Sequence, residues 1–423
     1  MKKIGIALLG LGVVGSGTYR ILQSKAKKIE EDFGVSLEVR QVLEKDLSKA
    51  EALGIDLAKV SCDINNVLKD DAISVVAEFF GGIEPARTFL IACLKAGKSV
   101  VTSNKELFAK HWPELEAAAA ESGAGIYFEA SCGGGVPIIR ALHESLQGND
   151  VLEIKGIVNG TTNYILSNMS EKGSDYADTL KEAQRLGYAE ANPSADVDGF
   201  DSTYKLSILS SLAFHKRIPY TAIYREGISG VTKEDIKYGK EFGLTVKLLA
   251  ISKNVGGRIE AHVYPAFIPD DHPLAKVSGA FNGIYVVGDN VGELMFYGKG
   301  AGDLPTGSAI VSDIVYAATH DKHRRYPFIL QDEAQDFNND FESEYFIRLV
   351  AKDQTGVLSE ITGILGKAGI SIDSMVQKAG DHGKATIVLI TQKTSEVNFT
   401  KAIASLKNAS CVSEIANVIR VEK

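Results

Sequence analysis

The sequence predicts a multidomain α/β protein: a Rossmann-type parallel sheet domain, an α+β domain, and a ferredoxin-like module at the C-terminal end. Three observations carry that expectation. Short apolar runs alternate with helical stretches up to about residue 130. A glycine turn, Gly10 to Gly15, joins the first of those runs to a helix. From Tyr345 onward the order reads strand, helix, strand, strand, helix, strand. At 423 residues the chain also exceeds the roughly 250–300 at which one core stops growing.

Ile4 to Leu9 is the first strand, with helical spacing from Gly15 to about Glu31. Leu37, Val39, Gln41 and Leu43 share one side of a second strand. The run Ile73 to Ala77 reads as a buried strand, Pro85 to Ala96 as a helix stopped by Gly97, and Ser99 to Val101 as the next strand. A helix through Ala117–Ala120 and a strand at Ile126–Phe128 complete this half. The texture then changes to a strand at Leu152–Val158, helices near 161–170 and 176–186, and an apolar helix from Asp201 to Phe214. Residues 257–298 are β-rich and broken by Gly and Asp, which predicts an antiparallel sheet. A helix at Thr306–Thr319, after Pro305, returns the chain to the first domain. The expected division is therefore 1–132 with 305–330 returning to it, 133–304 for the α+β domain, an acidic linker at 331–344, and the ferredoxin-like module at 345–423.

Composition narrows the function. Apolar residues make up 45% and charged residues 24%, the balance of a globular protein. A net charge of −8 argues against a nucleic-acid partner, since neutralising phosphates needs clustered Lys and Arg. No run approaches the ~20 apolar residues that span a bilayer, so no membrane partner is expected. Cys62, Cys93, Cys132 and Cys411 are scattered without zinc or disulfide spacing. With no signal-like N-terminus, the expected location is the cytoplasm. No kinase-like segment precedes the glycine turn, so a single activity is expected.

Gly10-Leu11-Gly12-Val13-Val14-Gly15 has the dinucleotide fingerprint in its proper strand-to-helix setting. The first glycine turns the chain, the second admits the pyrophosphate and the third lets helix and strand pack closely. At the end of the second strand stand Glu44, Lys45 and Asp46. A carboxylate there accepts from the ribose of NAD, whereas Lys45 neutralises the 2′-phosphate of NADP. The balance tips towards NADP, with NAD also usable.

Gly187 to Lys205 holds the densest chemistry: Glu190, Asp196, Asp198 and Asp201 precede Lys205 at the rim of an apolar helix. Asp201 and Lys205 share a face at i and i+4. One reading is an ion pair with acids favouring the helix dipole. The other is a site for a cationic amino group and a reducible carbonyl, with Lys205 as acid. Lys105, after Thr102-Ser103-Asn104, sits at a strand end where open α/β sheets bind ligands; alternatively Ser103 caps a helix and Lys105 is its exposed first turn. Glu129 to Pro137 carries three glycines whose carbonyls suit a cation or close packing. Cys132 within it is either a thiolate nucleophile or an inert buried thiol.

These residues resemble the homoserine dehydrogenases over about 330 residues of the chain. The shared stretches are Ala7 to Gly15, Gly81-Gly82-Ile83-Glu84-Pro85, Thr102-Ser103-Asn104-Lys105, Asn159 to Ile165, Gly187 to Lys205, and Phe296 to Gly302. The resemblance implies reversible NAD(P)H-dependent reduction of L-aspartate 4-semialdehyde to L-homoserine, on the way to threonine, methionine and isoleucine. It implies Lys205 as proton donor, Asp201 positioning it, Glu190 on the substrate amino group with Asp196 nearby, and Lys105 beside the nicotinamide and the substrate carboxylate. Thr102, Ser103 and Gly302 join the cofactor set. The carbonyls of Glu129, Cys132, Gly134 and Val136 resemble the family's structural sodium site, and family members form dimers through the second domain, so a homodimer or homotetramer is expected. Glu44-Lys45 departs from the family's usual Arg, and Cys132 from a small aliphatic residue.

The C-terminal module is similar to an ACT domain, by its order and by Lys352 to Leu358 between first strand and helix. Gly356 would let the backbone approach an amino acid, and Asp353 would bind its ammonium or cap the helix. Feedback inhibition is expected, with threonine the first effector. Two other classes compete: an acylating semialdehyde dehydrogenase using Cys132, and a non-catalytic amino-acid sensor.

Overall fold

The computed structural model describes residues 2–331, 337–380 and 382–423. The chain forms two compact units, Met1–Ile154 with Asp201–Ile223 and Phe281–Gln335, and Lys155–Phe200 with Tyr224–Ala280 and Asp336–Lys423.

The first unit is built on six parallel strands: β1 (Lys2–Leu9), β2 (Val35–Leu43), β3 (Val60–Ser61), β4 (Ile73–Glu78), β5 (Ser99–Thr102) and β6 (Ile126–Tyr127). Their order is β3-β2-β1-β4-β5-β6, so the chain reverses direction across the sheet between β1 and β4. Ligands of such sheets bind outside the carboxyl ends of the strands at that switch. Ile6, Leu8, Val75, Ala77 and Val101 are buried because helices cover both faces, which is why these strands read as continuous apolar runs. The helix α1 (Val13–Phe33) packs on the helix Asp303–Thr319 through bare backbone. A side chain on Gly17 would lie 2.3 Å from the Asp303 carbonyl oxygen, and one on Gly307 2.9 Å from the Thr18 nitrogen. The latter helix starts three residues earlier than expected, with Pro305 inside its first turn. The expected helix near Ala117–Ala120 is the end of a longer one, Lys105–Ser122, kinked at His111 ahead of Pro113.

In the second unit, strands Leu244–Val255 and Arg258–Pro269 form an antiparallel hairpin. The first of these, and the helix Lys233–Glu241 before it, lie ahead of the β-rich stretch that the sequence marked. The C-terminal module has the βαββαβ order: Glu342–Lys352, Val357–Lys367, Ile372–Ala379, Lys384–Thr391, Glu396–Lys407 and Val412–Val421. Its last strand runs between Glu342–Lys352 and Arg258–Pro269, pairing antiparallel with the first and parallel with the second. The module's sheet is thus continuous with that hairpin. Of the expected linker 331–344, residues 332–336 lie outside the described residues. Asn338 already bonds the Ile259 carbonyl, Phe341 is buried, and the module's first strand begins at Glu342.

Charged side chains tie this sheet together. Arg420, on the last strand, bonds Glu226 and Glu396 at 3.3 and 2.8 Å, over the rings of Tyr224 and Tyr264. Arg348 reaches the fully buried Asp235 at 2.7 Å, and Asn417 donates to the same carboxylate. Asp235 also completes the capping box of Lys233–Glu241 with Thr232.

Candidate active site

β1 ends at Gly10, whose φ of +103° strains any other residue. Gly12 is extended and a side chain there would meet nothing within 4 Å, leaving the N-terminus of α1 open to an anion. A side chain on Gly15 would lie 2.3 Å from the Gly10 carbonyl oxygen, so only glycine allows that turn. Leu11 is buried, while Val13 is exposed at the start of α1 and Val14 half-buried. Gly302, at φ +120°, opens the helix Asp303–Thr319.

The acids after β2 are not equivalent. Glu44 accepts from the Leu11 N–H at 2.8 Å and from the N–H groups of Lys45 and Asp46 at 3.0 and 3.1 Å. Partial burial pushes its pKa up, but these bonds and Lys49 hold it below the usual carboxylate range. Asp46 caps the next helix, and Lys45 is exposed.

At the ends of β4 and β5, Glu78, Thr102 and Asn104 form a buried chain of hydrogen bonds. Burial pushes Glu78 up to about 7, against the bond from Thr102. Asn104, not Ser103, caps the helix that begins with Lys105, accepting from the Leu107 N–H at 3.1 Å.

Lys105, Asp201 and Lys205 come together in the first unit. One Asp201 oxygen lies 2.7 Å from the Lys205 ammonium and the other 3.3 Å from that of Lys105. Asp201 and Lys205 are buried at the start of the helix Phe200–Phe214, whereas Lys105 is half-exposed. A single carboxylate therefore faces two ammonium groups. Two ammonium groups beside one carboxylate suit an anionic substrate and an oxygen gaining negative charge.

Cys132 is fully buried, with its Sγ 3.8 Å from the Lys205 carbonyl, and burial pushes the thiol up to about 12. Burial thus works against the thiolate that an acylating mechanism needs. Gly133 and Gly134 follow at φ +70° and +56°, and a side chain on Gly134 would strike the Gly300 carbonyl at 2.4 Å. Glu129 accepts from the N–H groups of Ile139 and Arg140, both at 2.8 Å, and burial pushes it up to about 7. Asp313 and Arg140 complete that cluster. Among the described residues no group of His, Cys, Asp and Glu side chains could hold a metal ion.

Glu190 and Asp196 belong to the second unit. Glu190 is exposed. Asp196 accepts from the Asn159 amide at 2.7 Å and lies in the short helix Ser194–Val197. Asp353 does not cap the module's first helix; Gly356, at φ +91°, stands at that position and Asp353 is exposed. Glu78, Asn104 as a cap, and the Glu129–Asp313–Arg140 cluster are not evident from residue type and spacing. A carboxylate closing an apolar strand was the available signal for Glu78.

Family models match three stretches: "Homoserine dehydrogenase, NAD binding domain" at 10–129, "Homoserine dehydrogenase" at 137–315 and "ACT domain" at 345–410. The homoserine dehydrogenase of Bacillus subtilis is 39% identical over 100% of this chain and 99% of its own. That of Corynebacterium glutamicum is 39% identical over 99% and 96%. The crystal structure of a homoserine dehydrogenase from Thiobacillus denitrificans superimposes with a TM-score of 0.94 at 41% identity, covering 100% of this chain and 99% of that one. A hyperthermophilic archaeal homoserine dehydrogenase in complex with NADPH gives 0.64 at 30% identity, over 74% and 97%.

Proposed function

The chain belongs to the homoserine dehydrogenase family, NAD(P)-dependent oxidoreductases that interconvert L-aspartate 4-semialdehyde and L-homoserine, and from that premise we propose how its residues serve the reaction. Lys205 donates the proton to the aldehyde oxygen, and Asp201 holds its ammonium in place. Lys105 faces the substrate carboxylate, Glu190 takes the substrate amino group and Asp196 stands near it. The observation that carries this reading is the single Asp201 carboxylate shared between Lys105 and Lys205. A bound reduced nicotinamide supplies the hydride. The open backbone at Gly12 and the N-terminus of α1 fit its pyrophosphate, with Gly10, Leu11, Val13, Val14, Gly15, Thr102, Ser103 and Gly302 completing the cofactor set.

Cofactor choice turns on Glu44 and Lys45. The exposed Lys45 favours the 2′-phosphate of NADP, while the Glu44 carboxylate, anchored on Leu11, accepts from the ribose hydroxyl of NAD and repels that phosphate. The enzyme uses both. A sodium ion belongs at the carbonyls of Glu129, Cys132, Gly134 and Val136. What supports it is that Cys132 and Gly134 are buried and, among the described residues, no N–H donates to either carbonyl.

Residues 1–132 with 305–330 hold the cofactor, 133–304 the substrate, and 345–423 the effector. Threonine binds at the exposed loop around Gly356 and inhibits; unchanged activity at millimolar threonine, with no heat of binding, would sink that proposal. The enzyme works as a homodimer or homotetramer in the cytoplasm. The four free cysteines, and the lack among described residues of any helix long and apolar enough to cross a membrane, support that location.

The decisive assay follows NADPH and NADH absorbance with L-aspartate 4-semialdehyde. Turnover that vanishes in Lys205→Ala is the expected result. Turnover that survives in Lys205→Ala and vanishes in Cys132→Ala would replace this mechanism with the acylating one.

A further inference from the structure

Glu78 closes β4 at the switch between β1 and β4, where its backbone registers with Leu9 on one side and Thr102 on the other. It is fully buried. Isolated carboxyls in such places are costly, and the three residues before it, Val75, Val76 and Ala77, are buried and apolar. Its partners explain what it holds.

The Thr102 hydroxyl oxygen lies 2.6 Å from Glu78 Oε2 and 3.0 Å from the backbone nitrogen of Asn104. An amide N–H can only donate, so Thr102 accepts from Asn104 and its own proton must point at Glu78. The polarity of the chain is thereby fixed, with the carboxyl as its terminal acceptor. Asn104 extends the chain in two directions. Its side-chain oxygen caps the helix whose first residue is Lys105, and its amide donates to the Gly82 carbonyl at 2.7 Å. The loop so held contains Phe80, whose ring would lie 3.4 Å from a side chain placed on Gly10. One carboxyl therefore sets the end of β5, the start of the Lys105 helix and the loop packed on the glycine turn.

We propose that Glu78 is a positioning residue for the hydride-transfer reaction, acting through Thr102 and Asn104 to fix Lys105 and the wall of the cofactor crevice. It touches neither substrate nor cofactor. Its contribution is geometric, and displacement of a reacting group by about 1 Å is enough to cost on the order of a hundredfold in rate.

The test compares Glu78→Ala, Glu78→Gln and Thr102→Val in the full-length enzyme, measuring kcat, KM for the semialdehyde, the dissociation constant of NADPH by its fluorescence, and the melting temperature. Glu78→Ala and Thr102→Val are expected to lower kcat by at least about tenfold at a temperature well below melting. In Glu78→Ala NADPH binding should weaken by less than about threefold, because the glycine turn is intact. Glu78→Gln keeps an acceptor oxygen for Thr102 and should restore kcat to within about threefold of the parent. A purely structural role predicts instead a lower melting temperature in all three variants with kcat unchanged in the folded enzyme. That pattern, or parental kcat in Thr102→Val, overturns the proposal. If Glu78→Ala fails to fold, Thr102→Val, which changes the volume little, decides alone.

Discussion

Two charge clusters in this molecule use the same ingredients to opposite ends. Around Asp201, two ammonium groups share one carboxylate; around Arg420, one guanidinium is shared by two carboxylates and ringed by tyrosines. The second cluster has every cation accounted for and lies where the last strand joins two others, so its business is to hold the sheet. The first stands at the end of β5, where open α/β sheets bind ligands, and with Lys105 half-exposed its ammonium groups are placed to meet something that arrives from outside. Place in the fold separates chemistry from architecture better than burial does, since Lys205 and Arg420 are almost equally buried.

Removing the cation from each cluster sharpens the contrast. Lys205→Ala should cost about a thousandfold in kcat, within the range for loss of a general acid, and leave the melting temperature nearly unchanged. Arg420→Ala strands two carboxylates and should cost about 3 kcal/mol in denaturant unfolding, with kcat at low temperature retained. If Arg420→Ala instead abolished turnover in a folded enzyme, the division between the clusters would fail.

A finer comparison sets Glu44 against Glu78, two glutamates closing strands of one sheet. Glu44 is held below the usual range by N–H donors and Lys49, whereas burial raises Glu78 from 4.5 to about 7. A raised carboxyl pKa means that folding binds the proton more tightly. The stability it brings is full below about pH 4.5 and is lost as pH rises through about 7. Glu78→Gln cannot titrate and escapes that loss. The unfolding free energy of the variant minus that of the parent should therefore rise between pH 5 and 8, by up to about 3 kcal/mol; a flat difference would show that Glu78 does not titrate there. Smallest is the effect at Glu44. Glu44→Gln removes the repulsion towards a 2′-phosphate and should shift the ratio of kcat/KM for NADPH over NADH upward by about tenfold, with a downward shift overturning its assigned part in cofactor choice.

The order of elements was legible because apolar periodicity reports burial directly. The buried strands Lys2–Leu9 and Ile73–Glu78 match the apolar runs Ile4–Leu9 and Ile73–Ala77 nearly to the residue. What the pattern lacked was partnership. The strand Val412–Val421 alternates weakly because it is flanked on both sides, and its parallel neighbour lies far away in sequence, beyond any local signal. The glycine turn, Lys105, Asp201 and Lys205 stood out by residue type and spacing. Glu78 was passed over because one acid at the end of an apolar run looks like a strand terminus meeting water. Only the hydrogen bond from Thr102 reveals otherwise. Asn104 was overlooked as a cap in favour of Ser103 for a similar reason, since either residue type can cap and local sequence does not say which amide it will meet.

The parallel seam between Arg258–Pro269 and Val412–Val421 also has a meaning for synthesis. During translation the hairpin Leu244–Pro269 leaves the ribosome long before the strand that covers its open edge. Until residue 421 emerges, Ala266 and Phe267 at the end of that edge present unpaired N–H and C=O groups beside apolar side chains, the kind of surface that recruits chaperones or other nascent chains. A stalled or prematurely terminated chain would carry its whole glycine turn and lysine pair yet remain an aggregation hazard.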